Sequence, residues 1–187
     1  MSIDNIIFLL IVGVLFLYII LALVRSLRLV PARMEFIVER FGRYNTTLDA
    51  GFHFLIPFVD KVAFIQDLKE HTMDVPPQTC FTKDEIQVEV DGVIYLQVID
   101  SQKASYGITD FQYASIQLAQ TTTRAIIGTL DLDRTFEERE AISVKVVSVL
   151  DSAAAKWGVK ILRFEIKNLV PPESVRQSME KQVTAER

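Results

Sequence analysis

The sequence predicts an α+β chain: an N-terminal transmembrane helix, a β-rich subdomain, an α/β subdomain and the start of a long C-terminal helix. Three observations predict it. Ile6 to Val24 runs nineteen residues without a charge; as an α-helix it would cover about 28 Å, close to the roughly 30 Å of a bilayer's hydrocarbon. From Glu85 to Asp100 the pattern has a period of two, with Ile86, Val88, Val90, Ile94, Leu96 and Val98 apolar against Glu85, Gln87, Glu89 and Asp91, as a half-buried strand requires. Beyond Asp110 the period changes to about 3.6. The expected segments are 1–29, a membrane anchor; 30–100, β-rich; 101–170, α/β; and 171–187, a helix opening.

The anchor is expected to be carried by Ile6, Phe8, Leu10, Val12, Leu15, Leu17, Ile20, Leu23 and Val24. A helix is the practical form for such a segment, because lipid offers its backbone no hydrogen bonds. A core helix would keep a polar stripe, and this segment has none. A cleaved signal peptide would begin with basic residues and end on small ones; here Ser2, Ile3, Asp4 and Asn5 precede the span and Arg25, Arg28 and Arg33 follow it. Those arginines place the C-terminal side in the cytoplasm. A single-pass protein of the plasma (inner) membrane is the expected localisation, with an in-plane or re-entrant hairpin as the alternative.

Met34–Phe41 is β-prone, Gly42 ends it, and Asn45-Thr46-Thr47 reads as a turn. Leu48–Val59 gathers three aromatics around Gly51 and Pro57, and the proline denies it a central strand. It is either an edge strand over a core, the default, or an apolar surface on the membrane, with Phe52, Phe54, Ile56 and Phe58 as the contact. Val62–Leu68 and His71–Val75 read as short strands, the second stopped by Pro76-Pro77. The strand through Gly92 is long enough to need a bend or bulge there. Asp110 is placed to cap a helix to about Ile127. Thr135 with Glu138 reads as a capping box for the next helix, in which Ile142, Val146, Val149, Leu150 and Ala153 share a face before Gly158. Val159–Val170 returns to strand, with Leu162, Phe164 and Ile166 alternating against Arg163, Glu165 and Lys167. After Pro171-Pro172 the pattern is helical, and Val175, Met179 and Val183 form a candidate oligomer face. Good helix formers at the end of the sequence suggest a helix cut short.

Composition narrows the function. With 20 Lys and Arg against 24 Asp and Glu, the net charge is −4, which argues against nucleic acid as a partner. One cysteine, Cys80, excludes an internal disulfide and a thiolate-rich metal site. His53 and His71 are the two histidines, too few for a metal centre without carboxylates. His53, between Phe52 and Phe54, reads as a hydrogen-bonded structural residue. Cys80 has no cationic or histidine neighbour in sequence to activate it. Asp131, Asp133, Glu137 and Glu138 flank a helix start, where acids favour the dipole. No nucleotide-binding or hydrolase motif is present. No cofactor, metal or catalytic residue is expected.

Several short motifs then combine. Val38-Glu39-Arg40-Phe41-Gly42-Arg43-Tyr44 follows the span, and Gly51-Phe52-His53-Phe54 with Pro57-Phe58 and Asp60 comes next. Asp74-Val75-Pro76-Pro77-Gln78, Thr82-Lys83-Asp84, Val90 to Tyr95, Tyr106-Gly107, Trp157-Gly158-Val159 and Pro171-Pro172-Glu173 complete the set. In this order and spacing the chain resembles the stomatin-like branch of the SPFH (Band 7) family, which includes prohibitin homologues. Ala50 departs from the proline usual before that glycine, and the family's long Ala/Glu-rich coiled coil would begin where this sequence stops. The resemblance implies a non-enzymatic membrane scaffold that forms homo-oligomeric rings or cages and organises membrane microdomains. Arg139, Glu140, Arg176, Glu180 and Lys181 are expected to contribute at subunit faces. The alternative is a regulatory subunit that binds a membrane protease or channel directly; an NfeD-type protein is a further partner the resemblance implies.

Overall fold

The computed structural model describes residues 3–178, with side chains from Leu10 onward. The chain divides into two compact units, the first ending at Leu68 and the second starting at Lys69.

The first unit opens with helix α1 (Ile3–Ser26) and passes without a loop into β1 (Leu27–Val30). Strands β2 (Met34–Arg40), β3 (Arg43–Leu48), β4 (Gly51–Phe54) and β5 (Asp60–Asp67) follow. They form a β1–β4 ribbon and a three-stranded sheet in the order β3-β2-β5, all antiparallel. Val30, Val38, Leu48 and Leu55 are buried together, with Met34, Phe36 and Val62 packed around them. The Ser26 carbonyl accepts the Leu55 N–H at 2.9 Å, tying the helix end to the chain just after β4. From Leu10 to Val24 the large apolar side chains of α1 are exposed, Leu10 at 64% and Val24 at 61%. Among the described residues no helix is long and apolar enough to cross a membrane, so the expected single-pass helix is not met there. The described side chains of α1, residues 10–26, cover about 26 Å, short of the roughly 30 Å of bilayer hydrocarbon. The expected anchor residues Ile6 and Phe8 lie outside the described side chains.

The second unit is a sheet with helices. Strands β6 (Glu70–Phe81), β7 (Gln87–Val98) and β8 (Val159–Val170) lie in the order β6-β7-β8. Between β7 and β8 come α2 (Ser101–Tyr106), α3 (Phe111–Ile127), α4 (Leu132–Glu137), α5 (Arg139–Ala154) and a 3-10 turn, Ala155–Trp157. The alternation in β7 is the expected one: Val88, Val90, Ile94, Leu96 and Val98 are buried. Cys80, Val88, Val90, Ile127, Leu132 and Leu169 form one core cluster. Ile142, Val146, Leu150 and Ala154 give α5 a buried stripe at every fourth residue, the spacing that keeps side chains on one helix face.

Several local expectations hold. Asp110 caps α3, its carboxylate accepting the Tyr113 N–H at 2.9 Å. The pairing of β7 with β8 shifts register between Asp91 and Gly92, as the length of β7 required. A Cβ at Gly92 would meet the Glu165 carbonyl at 2.8 Å, so close approach of β8 needs glycine there. Gly158 takes the left-handed conformation, φ 67°, and ends the helical stretch.

Five expectations are corrected. Asn45-Thr46-Thr47 lie within β3, paired with β2, and not in a turn. Val149, expected on the buried face of α5, is 48% exposed, and Ala154 completes the stripe instead. Pro76-Pro77 do not stop a strand: β6 runs through them, and its register with β7 shifts between Val75 and Gln78. The prolines occupy the bulge, where no ladder N–H is required. Thr135 and Glu138 do not form a capping box. Thr135 lies inside α4, buried, and its hydroxyl donates to the Asp131 carbonyl, while Glu138 at the start of α5 makes no capping bond with its side chain. In β8 the inward residue is Ile161, whereas Leu162 is 42% exposed. A second register shift, between Tyr95 and Leu96, changes the phase of the alternation.

Candidate functional site

The aromatic segment after Leu48 resolves into two sides. Leu48 and Leu55 point into the core of the first unit, while Phe52, Phe54, Ile56 and Phe58 are exposed at 66%, 57%, 45% and 79%. Gly51 and the alternation of β4 set this division, because successive side chains of a strand leave opposite faces. In the ribbon, Leu27 pairs with Phe54 and Leu29 with Phe52. Leu27 and Leu29 are exposed as well, so two cross-strand pairs form one apolar face. The opposite face carries Arg28 against His53 and Val30 against Gly51, with Val30 in the core.

This face follows α1 directly in sequence, and Tyr18 of α1 reaches the end of the aromatic segment. Its ring stacks on Phe58, with centroids 6.1 Å apart and planes 17° from parallel. Phe58 is held in the left-handed region, φ 66°, which is strained for a bulky residue. A turn supports it, in which the Val59 and Asp60 N–H groups donate to the Ile56 carbonyl. Sequence reading singled out the four residues of the aromatic segment and passed over Leu27 and Leu29, which are exposed as well. The signal was the short alternation Leu27-Arg28-Leu29, overshadowed by the apolar run before it.

One charged pair braces this end of the unit. Arg40 Nε donates to Asp60 Oδ1 at 2.8 Å and a terminal guanidinium nitrogen to Oδ2 at 3.1 Å. The Asp60 side chain is only 4% exposed. Arg40 holds its carboxyl below the usual carboxylate range, helped by the Ile56 N–H. His53 is structural: its Nε2–H donates to the Asp49 carbonyl at 2.8 Å.

The second unit offers a groove of about 510 Å³ between α5 and β8, lined by Glu140, Ser143, Val144, Val147, Leu162 and Ile166 among others. Arg139 and Arg163 lie on its rim, the latter stacked on the Tyr95 ring at 4.2 Å. Val175, from the proposed oligomer face, packs on this unit's own core, and Arg176 pairs with Glu173 at 2.6 Å. Met179, Glu180, Lys181 and Val183 lie outside the described residues. Cys80 is fully buried, and burial pushes its thiol up rather than toward a reactive thiolate. Among the described residues no group of three His, Cys, Asp or Glu side chains is placed to hold a metal ion.

The geometry defines a two-unit α+β module whose first unit presents an apolar helix and an apolar ribbon on its surface. The chain belongs to the SPFH domain / Band 7 family, whose profile matches residues 28–187. It is 44% identical over 158 residues to human stomatin-like protein 2, mitochondrial, covering 84% of this chain and 44% of that protein. A stomatin-like protein of Caenorhabditis elegans is 41% identical, over 84% of this chain and 49% of its own length. An uncharacterized protein of Methanocaldococcus jannaschii is 41% identical over 180 residues, 96% of this chain and 88% of that one. The chain thus spans less than half the length of the human and nematode relatives.

Proposed function

We propose that this protein is a membrane-anchored scaffold, in which α1 crosses the bilayer once, the β1–β4 ribbon lies on its surface, and copies assemble side by side. The observation that carries the reading is the set of exposed apolar side chains on α1 and, directly after it in sequence, on the ribbon at Leu27, Leu29, Phe52 and Phe54. Water does not tolerate a patch of this kind without a partner. The full Ile6–Val24 stretch has the length for a span,, and Arg25, Arg28 and Arg33 favour a cytoplasmic location for the units that follow. Family membership supports assembly into homo-oligomers that organise the surrounding membrane. Many weak contacts, multiplied by effective concentration, suffice for such a ring. The α5–β8 groove and its charges supply one lateral surface of the right kind.

The mass of the assembly in mild detergent tests the reading. Rings or cages of many copies are expected. A monomer or dimer, or a fixed one-to-one complex with a membrane protease, would replace the scaffold with a regulatory subunit.

A further inference from the structure

The sheet of the second unit has two outer strands, and one of them is blunted. Along β6, Pro76 and Pro77 carry no N–H, and the Pro76 carbonyl accepts from the Gln120 side chain at 3.2 Å,. Strand β8 pairs with β7 alone among the described residues. The backbone groups along its other side therefore face no strand, and such an edge is a template for a further one. The Ile161 N–H donates to Asp151 Oδ1 at 3.1 Å rather than into the ladder, which closes the edge at one end. Beyond it, the consecutive residues Leu162 to Ile166 line the groove beside α5. Neighbouring residues of a strand leave opposite faces, so the edge itself, not one face of β8, borders this space. Across from it Val144 is 64% exposed.

We infer that β8 takes a further strand, supplied by a partner protein as an extended segment and laid antiparallel between β8 and α5. The charges along the edge state its chemistry. Arg163, Glu165 and Lys167 alternate plus, minus, plus on the face opposite the buried Phe164. The complementary segment alternates acidic, basic, acidic, with apolar residues in between. Those apolar residues lie opposite Phe164 and Ile166 and enter the groove against Val144 and Val147. Arg163 pairs with Glu165 at 2.9 Å and Lys167 with Asp74 at 3.0 Å, yet all four side chains are at least half exposed, so they re-pair at little cost. A second copy is the other occupant of this groove, and its charges fit less well. No antiparallel register of another β8 opposes all three residues with opposite charge. Aligning Arg163 with Glu165 leaves Lys167 against Ile161, and aligning Glu165 with itself sets like charges together. The inference goes beyond the scaffold reading, because it names the chemistry of what each copy holds and does not need α1 in a bilayer.

The test adds a capped peptide, SEVKVES, to the full chain in mild detergent. Binding is read by fluorescence anisotropy and amide protection by hydrogen-exchange mass spectrometry. Exchange at residues 163–167 should slow about fivefold or more. The charge-swapped peptide SKVEVKS should bind about fivefold more weakly or worse. Of two variants of SEVKVES methylated on alternate backbone nitrogens, the one that loses the N–H groups facing β8 should bind about tenfold more weakly, and the other as well as the parent. Val144→Glu sets a charge on the groove wall and should weaken binding about tenfold. Val149→Glu, also exposed on α5 but outside the lining, serves as the control and should change nothing. Equal binding of SEVKVES and SKVEVKS, equal binding of the two methylated variants, or slowed exchange only outside β8 would overturn the inference. So would exchange at 163–167 that is already slow without peptide and unmoved by it, since a second copy then holds the edge. Assembly mass, read on the same samples, separates the two readings. A monomer that discriminates between the peptides leaves this inference standing without the scaffold. A large assembly that does not discriminate removes this inference alone.

Discussion

Gly158 meets two demands at once. Its φ of 67° is one that residues with a Cβ rarely adopt,, and a Cβ there would come within 2.4 Å of the Asp100 carbonyl. Its own carbonyl accepts the N–H groups of Ile99 and Asp100, so moving it would disturb the exit of β7 as well. Gly158→Ala should destabilise the protein by about 2 kcal/mol or more, read by chemical denaturation; a change below about 0.5 kcal/mol would contradict this packing. Asp60 makes a different prediction. Its folded pKa lies below the usual carboxylate value, chiefly through Arg40. The unfolded chain therefore binds the proton first as pH falls, near about 3.9. The stabilisation is complete above about pH 5 and drains as the pH drops through 4 toward the folded pKa. Asp60→Asn should be less stable than the native protein at pH 7 and lose less on acidification, in melting curves taken at both pH values. Equal acid sensitivity in the two proteins would remove Asp60 from the account. Asp84, Asp100 and Asp151 are also held low, by Thr82, by the Lys103 N–H and by Lys160 respectively, so some acid sensitivity should persist in the variant.

At the scale of elements, legibility followed how local the deciding force was. Helix α3, opened by Asp110, and the strand Val159–Val170 were readable because capping and period two act within a few residues. The double proline was misread because a bulge in β6 depends on β7 across the sheet. Thr135 was misread because a Thr-x-x-Glu pattern has the same letters whether it caps a helix or sits inside one; burial and the Asp131 carbonyl decided it. Leu162 faces outward because of a register shift that no single strand announces. The apolar ribbon was half legible. Phe52 and Phe54 stood out by type, whereas Leu27 and Leu29 gained meaning only through their cross-strand partners. Aromatic and aliphatic pairs of this sort stabilise a ribbon when covered, and their exposure here is the clearest sign that something covers them.

The molecule as a whole comprises a leading apolar helix, a ribbon with an exposed apolar face, and a second unit with its own core. In the reading proposed above, lipid covers the first of these parts. The most direct measurement is the depth of the ribbon in a bilayer. With Cys80, buried and the lone cysteine, replaced by Ser, an environment-sensitive fluorophore placed at position 54 of the full chain in vesicles should be blue-shifted and quenched by quenchers carried on lipid. The same label at position 129, on the second unit, should remain accessible to aqueous quenchers. If position 54 behaves like position 129, the ribbon does not touch the membrane and the central claim is wrong.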